Sequence, residues 1–186
     1  MDGERIISVF GSSQTMEGTS AYEEARSLGR LLAESGFTVY CGGYSGIMEA
    51  VSRGAKEGGG RVVGITVRLF DPLPANRWLD EEIKADDLFS RLERLILPAD
   101  GFLVLGGGLG TLVELSLTWI LSHMGVLRGK PILLLGDDWQ AFLEALSEGP
   151  FITQGEVALL RLVETPQEAV GELRKAIGID TSSYSF

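Results

Sequence analysis

The sequence predicts one α/β domain built on a doubly wound parallel sheet, and three observations carry that expectation. Short β-branched runs alternate with stretches of helical periodicity along the chain, the pattern of consecutive βαβ units. The strand-like runs are almost continuously apolar, as strands covered by helices on both faces must be. Glycine clusters punctuate the junctions between the two kinds of segment. With 186 residues and no composition shift that marks a linker, residues 1–186 are expected to form a single domain.

Residues 5–10 (RIISVF) read as the first strand. A loop over 11–19 leads to a helix at 20–34, where Ala21, Ala25, Leu28, Leu31 and Leu32 recur at helical spacing before Gly36 stops the run. Residues 37–40 form a short second strand ending in Cys41-Gly42-Gly43, and a helix over 46–57 closes on Gly58-Gly59-Gly60. Residues 61–67 (RVVGITV) are the third strand. The stretch 71–87 carries Pro72, Pro74 and many charges, so it reads as irregular and flap-like. Helical periodicity returns over 87–97 through Leu88, Leu92, Leu95 and Ile96. Residues 101–105 (GFLVL) form the fourth strand and run straight into a glycine-rich loop, after which Thr111 reads as the N-cap of a helix over 112–124. A fifth strand at 131–135, a helix at 139–146, a small strand at 162–164 and a last helix at 166–177 complete the chain.

Composition excludes several classes of function. A formal net charge of −10 argues against nonspecific nucleic-acid binding, which needs clustered cations. A small anion is a different matter, because a local cluster of backbone N–H groups holds phosphate whatever the overall charge. Cys41 is the only cysteine and His123 the only histidine, so neither a disulfide framework nor a multi-histidine metal centre is available. No metal and no cofactor is expected. Glu114 interrupts the most apolar helical stretch, and a membrane span needs about 20 largely uncharged residues. The chain starts Met-Asp-Gly-Glu-Arg, with acids where a signal peptide carries bases, so no membrane contact and a cytoplasmic location are expected.

Three loops leave strands and open helices: Gly11-Ser12-Ser13, Gly42-Gly43-Tyr44-Ser45-Gly46, and the loop over 106–111. In open parallel sheets ligands gather at that edge, and a helix N-terminus adds unpaired donors and partial positive charge. Gly11, Ser12, Ser13, Gly42, Gly43, Gly46, Gly107, Gly108, Gly110 and Thr111 are therefore candidates for holding a phosphate. No lysine precedes Thr111 and no G-x-G-x-x-G follows any strand, so neither common nucleotide fingerprint is present. Glu114, three residues after Thr111, reads either as its capping-box partner or as a carboxylate aimed at a ligand. Arg91 reads either as a surface pair with Asp87 at i−4 or as a functional cation. The helix after Thr111 carries apolar residues almost around its circumference, which fits burial in one subunit or a self-association face.

The stretch GGGLGTLVE at 106–114 resembles the P-G-G-x-G-T-x-x-E motif of the LOG (Lonely Guy) proteins, which are cytokinin riboside 5′-monophosphate phosphoribohydrolases often mislabelled "possible lysine decarboxylase". VFGSS at 9–13 resembles the first loop of that family, and GGYSGIMEAVSRGA at 42–55 its second, G-G-G-x-x-G-L-M-G-A-V-A. The resemblance covers most of the chain and implies a Rossmann-like fold. It places Arg91 and Glu114 on the family's catalytic arginine and glutamate, with Asp87 on an acid before them. Gly106 replaces the motif's proline, and Leu92 stands where the family has lysine. The implied reaction is hydrolysis of a nucleoside 5′-monophosphate to free base and ribose 5-phosphate by a homodimer or higher homo-oligomer. The alternative it leaves is a noncatalytic carrier of a nucleotide or phosphorylated cofactor, like the molybdenum cofactor carriers. A pyridoxal-dependent lysine decarboxylase is rejected, since none of Lys56, Lys84, Lys130 and Lys175 falls in a glycine-rich loop.

Overall fold

The computed structural model describes residues 3–179. The acidic start at Met1 and Asp2 and the last residues of the expected domain lie outside that range. Seven strands, β1 (Ile6–Phe10), β2 (Thr38–Cys41), β3 (Val62–Val67), β4 (Glu81–Ala85), β5 (Gly101–Val104), β6 (Ile132–Leu135) and β7 (Leu160–Val163), form one sheet in the order β4-β3-β2-β1-β5-β6-β7. Every neighbouring pair is parallel. The helices are α1 (Ser20–Glu34), α2 (Ile47–Glu57), α3 (Leu88–Ile96), α4 (Leu109–His123), α5 (Asp138–Glu148), the short α6 (Gln154–Val157) and α7 (Pro166–Ile177).

Alternating strand residues build a core on each face. Ile7 and Val9 of β1 pack with residues of α1, α2 and α7, while Phe10 packs with Leu92, Leu95, Leu115 and Trp139 from α3, α4 and α5. The expected doubly wound α/β sheet is therefore present, with both faces covered. The Cys41 side chain is fully buried in the first core, as a small hydrophobe would be.

Most boundaries fall within a residue or two of the sequence expectation, and four differences bear on the argument. The stretch 71–87 is not irregular throughout, because β4 runs through it as an edge strand on β3. Its sequence, EEIKA, buries only Ala85 fully, and an edge strand tolerates such charge because one side meets water. The last strand is Leu160–Val163 rather than 162–164, and α6 lies in a segment read as loop. The fourth difference matters most for function: α4 starts at Leu109 with Gly108 as its N-cap, and Thr111 sits inside the first turn. β1 lies at the centre, with β2, β3 and β4 added on one side and β5, β6 and β7 on the other. The order of addition reverses between β1 and β5, which is the switch point where α/β sheets open a crevice.

Candidate active site

A cleft of about 580 Å³ opens at this switch point. The exit of β1 supplies Gly11, Ser12, Ser13 and Gln14, the start of α4 supplies Gly108, Leu109, Gly110 and Thr111, and α3 contributes Leu88, Arg91 and Leu92. The two glycine loops at the floor are laced together. The Ser12 N–H donates to the Gly106 carbonyl at 3.1 Å, and the Ser12 carbonyl accepts from the Ile47 N–H at 2.8 Å. That Ser12 amide is spent inside the protein and has no proton left for a ligand.

The free donors lie at the start of α4. Gly108 offers no side chain to cap the helix, and the first intrahelical bond runs from the Leu112 N–H to the Gly108 carbonyl at 3.0 Å. The amides of Leu109, Gly110 and Thr111 precede it, so they point out of the helix end without an intrahelical acceptor. Together with the helix dipole they make an anion-ready terminus. The Thr111 side chain is buried against Gly107. Since Thr111 occupies the third helical position, Glu114 lies beyond capping-box range and does not cap this helix.

Glu114 and Arg91 meet in the cleft wall. Each is 7% exposed, and Arg91 Nη1 lies 3.4 Å from Glu114 Oε1. The guanidinium also donates from Nε to the Ile65 carbonyl at 2.8 Å and from Nη2 to the Gly42 carbonyl at 3.4 Å. Three acceptors on three elements thus fix its plane, which a planar five-donor fork suits better than an ammonium. Burial pushes the Glu114 carboxyl up to about 7, and the neighbouring Arg91 charge offsets only part of that rise. Arg91 makes no surface pair with Asp87. The Asp87 carboxylate instead accepts the Phe89 and Ser90 N–H groups and caps α3, which holds it below the usual carboxylate range.

The glycines of the second loop brace the site from behind, while its Tyr44 lines the cleft. Gly42, Gly43 and Gly46 do not line the cleft, and neither does Gly107. At Gly42 a Cβ would stand 2.1 Å from Arg91 Nη2, so only glycine lets the guanidinium reach that carbonyl. Gly46 holds φ at 72°, and a Cβ there would fall 2.2 Å from the Ser12 carbonyl oxygen. Gly42→Ala should therefore displace Arg91 and destabilise the fold by about 1–3 kcal/mol, the usual cost of overpacking, read by urea titration. An unchanged midpoint would show that the guanidinium position is slack.

Sequence reasoning brings Gly11, Ser12, Ser13, Arg91, Gly108, Gly110, Thr111 and Glu114 to one cleft, and misses its apolar rim. Phe70, Leu73, Leu88, Leu109 and Val113 all line the mouth. The available signal was a pair of large apolar residues, Phe70 and Leu73, standing in an otherwise charged and proline-bearing segment. His123 lies elsewhere, at the far end of α4, with Nε2 3.9 Å from a Glu156 carboxylate oxygen. Among the described residues no group of three His, Cys, Asp or Glu side chains is placed to hold a metal ion, and no helix is long and apolar enough to cross a membrane.

A seven-stranded parallel sheet with this cleft at its switch point defines a Rossmann-like α/β protein. More narrowly, the chain belongs to the SLOG cluster4 family, whose model matches residues 4–169. It is 34% identical over 139 residues to the cytokinin riboside 5′-monophosphate phosphoribohydrolase of Rhodococcoides fascians, covering 72% of this chain and 69% of that one. An uncharacterized protein of Archaeoglobus fulgidus is 32% identical over 164 residues, 88% of this chain and 91% of the relative. Among solved structures, the molybdenum cofactor binding protein of Rippkaea orientalis superposes with a TM-score of 0.76 at 25% identity, over 94% of this chain and 98% of that one. The LOG resemblance read from the three loops agrees with the Rhodococcoides fascians relative.

Proposed function

We propose that the chain hydrolyses the N-glycosidic bond of a nucleoside 5′-monophosphate, giving free base and ribose 5-phosphate. The observation that carries this reading is the buried Arg91–Glu114 pair, set one helical turn beyond the open amides of Leu109, Gly110 and Thr111. The phosphate docks on those amides with Gly11, Ser13, Gly108 and the Thr111 backbone around it, and this remote binding energy holds the sugar against the pair. As the bond between C1′ and the base nitrogen breaks, its electron pair leaves with the base and positive charge develops on the ribose. The Glu114 carboxylate lies against that charge and takes a proton from the attacking water, whose oxygen bonds to C1′; that proton then passes through solvent to the departing base nitrogen, which leaves Glu114 ionised again. Arg91 keeps Glu114 in place and supplies the countercharge. Relatives named for this reaction support the assignment.

The test is direct. Purified protein incubated with a panel of nucleoside monophosphates should release base and ribose 5-phosphate in equal amounts. Absence of release from every purine and pyrimidine member would end the proposal. No lysine lines the cleft, and Lys56, Lys84 and Lys175 are paired with Asp80, Asp71 and Glu172, which leaves a pyridoxal decarboxylase without its anchor.

A second reading, a noncatalytic carrier of a nucleotide or phosphorylated cofactor, draws on the buried Leu92 in the cleft, where LOG proteins have lysine, and on the likeness to a molybdenum cofactor binding protein. It requires a ligand that co-purifies and survives unchanged; rapid base release excludes it.

The protein acts in the cytoplasm as a homodimer in this reading. Leu109, Val113, Ile120 and Met124 form an uncharged stripe along the outer side of α4, each at least 46% exposed, and a second copy covers it. Light scattering should give twice the chain mass, falling to one chain mass in Val113→Glu/Ile120→Glu. A monomeric parent protein would contradict the dimer.

A further inference from the structure

Tyr44 stands where three parts of the cleft meet. Its ring lies 6.0 Å from the Arg91 guanidinium carbon and meets Phe70 edge-on, with centroids 5.7 Å apart. Its hydroxyl accepts the Val67 N–H at 2.9 Å and donates to the Val67 carbonyl at 3.2 Å. Its own carbonyl accepts from Asn76 Nδ2 at 3.1 Å, while the Asn76 N–H donates to the Gly43 carbonyl at 2.8 Å. The crossover from β3 to β4 is thereby pinned at both ends on one residue and its neighbour. Between the pins, Phe70 and Leu73 remain 43% and 51% exposed, yet both line the cleft. Isolated exposed apolar residues are ordinary, but two held at the mouth of a cleft give it an apolar wall beside the anion-binding amides of its floor.

The geometry points to Phe70 and Leu73 as the residues that hold the nucleobase and determine which bases enter, with Tyr44 as the residue that positions them. The inference rests on the nucleotide reading above and adds the base subsite to it. A base offers a flat π face to an aromatic side chain, whereas ribose 5-phosphate has none, so the wall should act on nucleotides alone. Tyr44 holds the wall through Val67 and faces Arg91 with the same ring, so base recognition and the catalytic pair share one support.

The experiment compares AMP with ribose 5-phosphate, the same molecule without a base, on the full-length protein. Phe70→Ala should weaken AMP about tenfold in both KM and dissociation constant, a typical effect of losing one stacking partner. Ribose 5-phosphate should change less than about twofold by the same measure. Leu73→Ala should act in the same direction. Both side chains are substantially exposed, and Tyr44 is the buried ring that Phe70 touches, so the ribose 5-phosphate affinity of each variant shows whether the loss reaches beyond the base wall. Tyr44→Phe removes the Val67 ties and should also weaken AMP selectively. Added to Phe70→Ala and Leu73→Ala together it should cost nothing further, because it acts through those two side chains. Equal weakening of both ligands, or no weakening of AMP, overturns the inference. If the parent protein binds AMP but cleaves nothing, hydrolysis falls while the dissociation constants still decide the base wall. If it binds no AMP, both fall together.

Discussion

Glu114→Gln should lower the rate of base release by about 10²–10⁴-fold, the range for a lost acid–base group, and leave nucleotide affinity nearly intact. The amide keeps the shape and a hydrogen-bond acceptor for Arg91, but it neither carries charge nor takes a proton. The same residue sets the pH dependence. Its carboxyl titrates at about 7 because burial disfavours the charge more than Arg91 restores it. In the proposed reaction the working form is the carboxylate, so kcat/KM should climb as pH rises toward about 7 and level off above it. Residual activity of the Gln variant should lack that rise. Undiminished turnover in Glu114→Gln, or a parent rate already flat from pH 5 upward, would remove Glu114 from its assigned role.

Arg91→Ala should destabilise the fold by about 3–5 kcal/mol, since it strands one partner of a buried ion pair. Three acceptors lose a donor at once: the Ile65 and Gly42 carbonyls and the Glu114 carboxylate. Without the cation, nothing offsets burial at Glu114, so any remaining activity should need higher pH than the parent requires. A double-mutant cycle separates these effects. In a Glu114→Gln background the stranded charge is gone, and Arg91→Ala should cost less than in the parent. Chemical denaturation of the four proteins measures the coupling; additive losses would mean that the two side chains do not act as a pair.

Much of this arrangement was legible in the sequence, and the unread parts share a physical cause. The β-branched strands of the sheet centre announce themselves because both faces are buried, so VVGITV and GFLVL have no polar alternation to confuse the reading. β4 escaped because an edge strand is half solvated, and EEIKA carries the charges that keep edges from pairing. Threonine is a good cap, so the sequence reads Thr111 as the N-cap of a helix that starts at Leu112. The actual cap, Gly108, leaves the helix end open, which is unfavourable for a helix alone and suited to an anion. Arg91 was visible by position only. Spacing on α3 could not reveal that it turns inward to Ile65, Gly42 and Glu114, since those partners come from three other parts of the chain. Gly42, Gly43 and Gly46 looked like phosphate ligands and stand behind the wall, because close packing and ligand approach both call for glycine.

A crystal structure of Glu114→Gln soaked with AMP addresses the arrangement at its root, since that variant should bind the nucleotide and leave it whole. Phosphate oxygens within hydrogen-bond reach of the Leu109, Gly110 and Thr111 amides, with C1′ beside Gln at 114 and the Arg91 fork, are the expected result. Density for the phosphate away from the start of α4, or a ribose out of reach of position 114, would contradict it.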